Sequence, residues 1–261
     1  MPRQRLDKKL VELGFAPTRE KAQALIMAGM VTVDGLLVDK PGFLVKEGQR
    51  IQLKEPIRYV SRGGYKLEHA LESFGIDVKG FVALDVGSST GGFTDCLLQR
   101  GVIKVYAVDV GRAQMDIKLR QDPRVILYEE TDARSLTESH VPEKVDIITV
   151  DVSFISVTKV LPHVVKFLKE GGILLLLVKP QFELTPDKVK KGIVRSSEDK
   201  FQAVLKVCQK LKDLGFHIGG VLKAKPRGSK GNEEFFLLAG RKLTPVENLE
   251  KAVKDAIKEP L

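Results

Sequence analysis

Tryptophan is absent from this chain and cysteine is nearly so, with only Cys96 and Cys208. The two lie far apart, without a C-x-x-C or a histidine cluster nearby, which excludes a disulfide scaffold and leaves no framework for a metal. His69, His140, His163 and His217 are scattered and read as helix-face or capping residues rather than catalytic ones. Long apolar runs are missing as well. The longest aliphatic stretch, Ile173 to Val178, is 6 residues, far short of the roughly 18 that a membrane span needs. The chain starts with charged residues and carries no apolar leader, so a cytoplasmic protein without a membrane partner is expected. No internal repeat or low-complexity segment is visible.

What is present is an ordinary soluble composition, 43% hydrophobic and 30% charged over 261 residues, enough for one large domain or a large and a small one. Lys and Arg number 43 against 34 Asp and Glu, a formal charge of +9, which favours a polyanionic partner. Residues 1–62 hold 12 of those basic residues and 7 of the acidic ones, so over half of the excess sits in a quarter of the chain. Leu6, Leu10 and Leu13 recur at helical spacing before Gly14, and Thr18 can cap a second helix burying Ala22, Leu25 and Ile26 before Gly29. Val31-Thr-Val then runs into Asp34-Gly35, a tight hairpin signal, followed by Leu36-Leu-Val and a strand around Ile51-Gln-Leu53. The polar faces of this small unit carry Arg3, Arg5, Lys8, Lys9, Arg19 and Lys21 near two helix starts, where phosphates bind well. A solvated basic face is the alternative from charge alone.

The run RLDKKLVELGFAPTREKAQALIMAGMVTVDG, with LVKEGQRIQL after it, closely resembles the S4 RNA-binding domain. The likeness covers nearly all of residues 3–54 and implies an RNA-binding module over 1–58. Pro56 to Gly64 reads as the joint, with 59–64 as linker, because Arg62-Gly63-Gly64 frees the backbone before a new helix.

Beyond it, five strand-like segments alternate with helix-like ones: Phe81 to Val86, Val105 to Val110, Val125 to Tyr128, Val145 to Val150 and Ile173 to Val178. Continuous apolar strands in that alternation imply a mostly parallel sheet covered by helices on both faces. His217 to Lys223 and Glu234 to Ala239, joined by KAKPRGSKGN, can add an antiparallel edge hairpin. The expected class is α/β, and the order of elements fits a Rossmann-like class I methyltransferase sheet over 65–242 behind a small N-terminal α+β domain. Thr244-Pro245 opens a final amphipathic helix, within 243–261, carrying Val246, Leu249, Val253 and Ile257 on one face.

Between the first of these strands and its helix lies Asp85-Val-Gly87-Ser88-Ser89-Thr90-Gly91-Gly92-Phe93-Thr94. Glycine after a buried strand permits a tight turn and a close ligand, while the helix start offers N–H donors. A P-loop needs Gly-Lys-Ser/Thr where this chain has Gly92-Phe93-Thr94, and the dinucleotide spacing G-x-G-x-x-G is not matched. An ordinary turn is the plain alternative.

DVGSSTGGFTDCLLQRG resembles the S-adenosylmethionine motif of the TlyA (haemolysin A) family, relatives of the FtsJ-type ribose 2′-O-methyltransferases. YVSRGGYKLEHAL, VDVSFIS and VKPQFE extend the likeness to about residue 241. The resemblance implies that Asp85, Gly87, Ser88, Ser89, Thr90, Gly91, Gly92 and Phe93 border the methionine portion of S-adenosylmethionine, that Asp109 with Val110 holds the ribose, and that Asp132 and Ala133 flank the adenine. Asp109 as a strand-end helix cap is the alternative. Two departures stand out: Gly111-Arg-Ala113-Gln where many relatives have Gly-Tyr-Gly-Gln, and Asp132-Ala-Arg where many have Asn-Ala-Arg.

The FtsJ-like relatives act through a Lys-Asp-Lys-Glu constellation that matches Lys66, Asp151, Lys179 and Glu234 here, with Asp151 also bordering the cofactor. Such a set suits a ribose hydroxyl, a poor nucleophile that must lose its proton as it attacks a sulfonium methyl. Ordinary surface ion pairs are the alternative for any one of the four. Arg62 at the joint and Lys225, Arg227 and Lys230 in the loop before Glu234 are further candidates for RNA phosphates. Lys188, Lys190, Lys191 and Arg195 form a second basic loop of the same kind. Aromatics are only 6% and form no stacking platform, so recognition by RNA shape and backbone is expected. The resemblance implies methylation of a ribose 2′-hydroxyl, that of cytidine, in small-subunit ribosomal RNA, large-subunit ribosomal RNA or both, by a monomer needing no metal. A non-catalytic ribosome-assembly factor, or a membrane-damaging protein as the haemolysin name suggests, are the competing classes.

Overall fold

Leu174, Leu175, Leu176, Leu177 and Val178 are all buried, as a strand covered on both faces must be, and around this strand a sheet is assembled. The computed structural model describes residues 3–27, 29–53, 58–228 and 231–260. It divides into two units, Met1–Arg58 and Tyr59–Leu261.

The first unit runs β1 (Arg3–Arg5), α1 (Leu6–Glu12), α2 (Arg19–Met27), β2 (Val31–Val33), β3 (Leu36–Leu37), β4 (Leu44–Lys46) and β5 (Ile51–Leu53). Leu6 and Leu10 of α1 and Ala22 and Ile26 of α2 pack on Val31, Val33 and Val45. The hairpin forms at Asp34-Gly35, both at positive φ (49° and 79°), with Val33 opposite Leu36. Thr18 Oγ1 accepts from the Lys21 N–H at 3.3 Å, as a cap of α2 should. Leu13 departs from the expected core: α1 ends at Glu12, and Leu13, just before the Gly14 turn, is left exposed. The pairing of β1 with β4 has no counterpart in the sequence pattern, because three residues carry too little periodicity.

The second unit runs α3 (Arg62–Ser73), β6 (Val82–Val86), α4 (Gly92–Gln99), β7 (Lys104–Val108), α5 (Ile117–Arg120), β8 (Val125–Tyr128), β9 (Val145–Val150), α6 (Val157–Val164), β10 (Leu168–Val178), α7 (Pro180–Glu183), α8 (Ser197–Asp213), β11 (His217–Lys223), β12 (Phe235–Gly240) and α9 (Leu249–Lys258). Among the described residues the sheet has seven strands in the order β11-β12-β10-β9-β6-β7-β8. β8, β7, β6, β9 and β10 are parallel, and β12 runs antiparallel to both β10 and β11. The expected hairpin is there, with its second strand inserted between β10 and the outermost β11. Alternate residues feed two layers: Leu84 and Ile148 join Val160, Val204 and Val253 on the side of α6, α8 and α9, whereas Ala83 and Ile147 join Leu67, Leu71 and Leu97 on the side of α3 and α4. Strand order reverses at β6, which opens a crevice at the carboxyl ends of β6, β7 and β9.

Two expected boundaries move. Segment 59–64, read as a linker, is taken up by the second unit: Tyr59 is buried, and α3 begins at Arg62 because Ser61 Oγ accepts from the Gly63 N–H. The last helix begins at Leu249, capped by Asn248 Oδ1 on the Lys251 N–H at 2.9 Å, rather than at Thr244-Pro245. Val246 instead donates its N–H to the Ile218 carbonyl, so 243–248 lies along β11.

Candidate active site

A cavity of about 500 Å³ occupies the crevice at the strand-order reversal. Its walls come from consecutive strand ends: Val86, Gly87 and Ser89 after β6, Asp109 to Gly111 after β7, Asp132 and Ala133, and Asp151 to Ile155 after β9. Asp109 Oδ2 accepts from the Ser89 N–H at 2.8 Å and Oδ1 from the Gly111 N–H at 2.7 Å. Those bonds clamp two loops together, and each oxygen keeps a lone pair for a hydroxyl pair on a ligand. Val110, Ala133, Ile155 and Val160 supply an apolar wall of the kind a flat base needs. Asp132 caps the turn at Ala133–Ser135 and is paired with Arg134 at 2.5 Å, which with the Arg134 N–H holds its carboxyl below the usual range.

The glycine-rich loop separates into different jobs. Asp85 does not line the cavity. It has no exposed surface, and its two oxygens accept from Thr94 Oγ1 at 2.7 Å and Thr149 Oγ1 at 2.8 Å. Burial pushes its carboxyl up to about 6. Gly87 turns at φ 83°, and a Cβ there would lie 2.5 Å from the Asp151 carbonyl oxygen, so only glycine lets β6 and β9 end side by side. Ser88, Thr90, Gly91, Gly92 and Phe93 are not in the cavity wall. A Cβ on Gly92 would lie 2.9 Å from the Gly64 nitrogen, so this glycine serves the close approach of α3 and α4. Phe93 stacks on Phe236 inside the core, with ring centroids 6.0 Å apart.

The four candidate catalytic residues form two pairs at one edge. Lys179, directly after β10, places Nζ 2.6 Å from Asp151 Oδ1, directly after β9; the contact is too bent for a hydrogen bond, and Nζ donates instead to Ser153 Oγ at 2.9 Å. Lys66 on α3 donates to Glu234 Oε2 at 2.6 Å, with the two side chains only 10% and 3% exposed. Val178 and Phe235 are register partners, so Lys179 and Glu234 leave β10 and β12 at the same place. The pairs bring two lysines and two acidic side chains to the carboxyl edge, where Asp151 itself lines the cavity.

The basic candidates fare differently. Arg5 and Arg19 are not a free face: Arg5 Nη2 bonds Asp7 Oδ2 at 2.8 Å and Arg19 Nε bonds the same oxygen at 2.9 Å, joined by Gln23 Nε2 at 3.0 Å. These bonds hold the Asp7 carboxyl, which has no exposed surface, well below the usual carboxylate range. Arg3, Lys8 and Lys21 are exposed. Arg62 Nη2 donates to the Arg227 carbonyl, Lys225 pairs with Glu259 at 2.9 Å, and Arg227 lies 3.6 Å from Glu233. Lys230 lies outside the described residues. Sequence reasoning singled out neither Asp7 nor Ser153, Phe154 and Glu183, although VDVSFIS and VKPQFE contain the last three; only their partners in space give them roles.

A class I methyltransferase sheet with a ligand cavity at its switch point, preceded by a small helix-and-hairpin domain, defines the class. Residues 59–241 match the FtsJ-like methyltransferase family and residues 4–51 the S4 domain. The 16S/23S rRNA (cytidine-2′-O)-methyltransferase TlyA of Mycobacterium tuberculosis is 41% identical over 264 residues, 98% of either chain. Hemolysin A of Brachyspira hyodysenteriae is 40% identical over 88% of this chain and 97% of its own. A solved structure from Streptococcus thermophilus, named as a hemolysin, superposes with a TM-score of 0.75 at 39% identity, covering 98% of this chain and 95% of that one. The protein belongs to the FtsJ-like methyltransferase family, in its S4-fronted TlyA branch. Among the described residues no helix is long and apolar enough to cross a membrane, and no group of three or more His, Cys, Asp or Glu is placed to hold a metal ion.

Proposed function

We propose that this protein transfers a methyl group from S-adenosylmethionine to the 2′-hydroxyl of a cytidine in 16S ribosomal RNA, 23S ribosomal RNA or both, in the cytoplasm and as a monomer. The observation that carries this is the Lys179–Asp151 pair, whose Asp151 lines a cavity with a donor set that suits an adenosine, with Glu234 of the Lys66–Glu234 pair leaving β12 where Lys179 leaves β10. S-adenosylmethionine, when bound, supplies an electrophilic methyl on a sulfonium. Asp109 would hold its ribose, Val110, Ala133 and Asp132 its adenine, and Gly87, Ser89 and Asp151 the opposite end. The relatives' names carry the ribosomal substrate.

In this reading Lys179, which can act as a base only as the neutral amine, takes the proton of the 2′-hydroxyl on Nζ. Asp151 and Ser153 fix Nζ in place, and Lys66 with Glu234 completes the polar wall. Orientation contributes as much as proton transfer, because an in-line displacement needs oxygen, carbon and sulfur nearly collinear. The first unit, 1–58, supplies affinity through phosphate contacts from Arg3, Lys8 and Lys21 and from the faces of Arg5 and Arg19 turned away from Asp7. Arg62, Lys225 and Arg227 extend the grip beside Glu234. Incubation with radiolabelled S-adenosylmethionine and purified small and large ribosomal subunits, followed by nucleoside analysis, tests the proposal: label should appear as 2′-O-methylcytidine. No label on either subunit or on free RNA, with the cofactor demonstrably bound, would favour a non-catalytic assembly role.

A further inference from the structure

Two loops carry the proposed reaction centre, and they are fastened along their length. One is Asp151 to Ser156, between β9 and α6; the other is Lys179 to Glu183, which begins after β10 and includes α7. At one end Lys179 Nζ lies 2.6 Å from Asp151 and donates to Ser153 Oγ at 2.9 Å. In the middle Phe182 packs on Phe154, ring centroids 5.1 Å apart. At the far end the Glu183 carboxylate accepts from Ser156 Oγ through Oε2 and from the Val157 N–H through Oε1 at 2.8 Å.

The first loop needs such support. Phe154 sits at φ 64°, a conformation costly for a bulky side chain, and is 91% exposed, so beyond the Phe182 ring little packing holds it. Five consecutive residues of that loop, Asp151 to Ile155, line the cavity. Glu183 is 5% exposed, and its own backbone is held in turn, its carbonyl accepting from Lys206 Nζ at 2.6 Å.

We propose that Glu183 is a positioning residue for methyl transfer: by anchoring Ser156 and the start of α6, it holds the Asp151–Ile155 wall against Lys179. The inference rests on the functional reading above. Ser156 Oγ donates to Glu183 and is left to accept from Thr158, whose N–H lies 3.3 Å away. A glutamine at 183 preserves this: its oxygen accepts from Val157, and its amide donates to Ser156, which can turn its own hydroxyl toward Thr158 Oγ1, 2.6 Å away. Alanine leaves the Val157 N–H without its acceptor and removes the tie between Ser156 and the Lys179–Glu183 loop.

The experiment compares wild type, Glu183→Ala and Glu183→Gln, full length, at a temperature where circular dichroism shows all three folded. Methyl-transfer kinetics on ribosomal subunits and calorimetric binding of S-adenosylmethionine are both measured. Glu183→Ala should lower kcat by about tenfold, the scale expected when a reacting group is misplaced by a fraction of an ångström, and weaken cofactor binding several-fold. Glu183→Gln should restore most of both. Wild-type kcat and cofactor affinity in Glu183→Ala, or a loss that glutamine does not restore, would overturn the inference. A wild type that binds cofactor but transfers no methyl group would defeat the functional reading alone, and the binding comparison would still decide the role of Glu183.

Discussion

Asp85 and Thr149 are register partners across the central strands β6 and β9, and Thr149 Oγ1 donates to Asp85 Oδ1 at 2.8 Å on the side of the sheet that carries α4. With Thr94 on the other oxygen, the pairing builds a polar strut under the glycine-rich loop rather than a ligand contact. The carboxyl's value of about 6 lies above the ordinary value of 3.8, so the folded protein binds this proton more tightly than the unfolded chain does. Its contribution is fully present below about pH 4 and is lost as pH rises through 6, a difference of about 3 kcal/mol. Asp85→Asn, which can keep both hydroxyl partners, does not titrate. Denaturant unfolding of the cofactor-free proteins should therefore show the mutant gaining on wild type between pH 4 and 7; a stability gap independent of pH would contradict it.

Asp7 has the opposite sign. Its carboxyl is held low by Arg5, Arg19 and Gln23, so the stability it contributes to the first unit is present above pH 4 and disappears as pH falls. Asp7→Asn should destabilise that unit by about 1.5–3 kcal/mol, the range for hydrogen bonds to a charged group. Hydrogen exchange should show faster opening across 6–27 with the sheet unchanged. Equal protection of α1 and α2 in both proteins would show that the arginines do not depend on Asp7.

Ala113 occupies φ 53° in the loop after β7. An L-residue in that region is strained by about 1–2 kcal/mol, partly offset by the extra freedom glycine has when unfolded. Ala113→Gly should raise the stability of the second unit by about 0.5–1 kcal/mol, read as a small rise in Tm. A fall in Tm would mean that the loop does not carry this strain.

Gly92 tests the packing role of the loop. Its Cβ would meet Ser61 Oγ and the Gly64 nitrogen, so Gly92→Ala should separate α3 from α4 and destabilise the second unit by about 1–3 kcal/mol. Unchanged thermal stability would return this glycine to a ligand-binding role.

The parallel strands were legible because burial on both faces writes continuous apolar runs such as Ile173 to Val178, and the hairpin because Asp34-Gly35 needs two left-handed residues. Lys66, Asp151, Lys179 and Glu234 become candidates through a family pattern; spacing alone does not show that Val178 and Phe235 pair and so bring Lys179 and Glu234 together. The last helix was misplaced because Pro245 is a strong start signal in isolation, while the bond from Val246 to Ile218 is tertiary. Asp7 and Glu183 were invisible for the same reason: their partners lie up to 16 and 27 residues away in sequence, and an acidic residue in a helix looks the same whether it is solvated or buried.

The most direct test of the account is single-turnover methyl transfer by wild type and Lys179→Ala on the ribosomal subunit that accepts label, at saturating S-adenosylmethionine, with cofactor affinity measured on both. The rate should fall at least about 100-fold, the scale of general-base catalysis, while cofactor affinity falls no more than several-fold, since Lys179 is not in the cavity wall and Glu183 still anchors the Asp151–Ile155 loop. A Lys179→Ala protein that methylates at a near wild-type rate would contradict the assignment of this edge as the reaction centre.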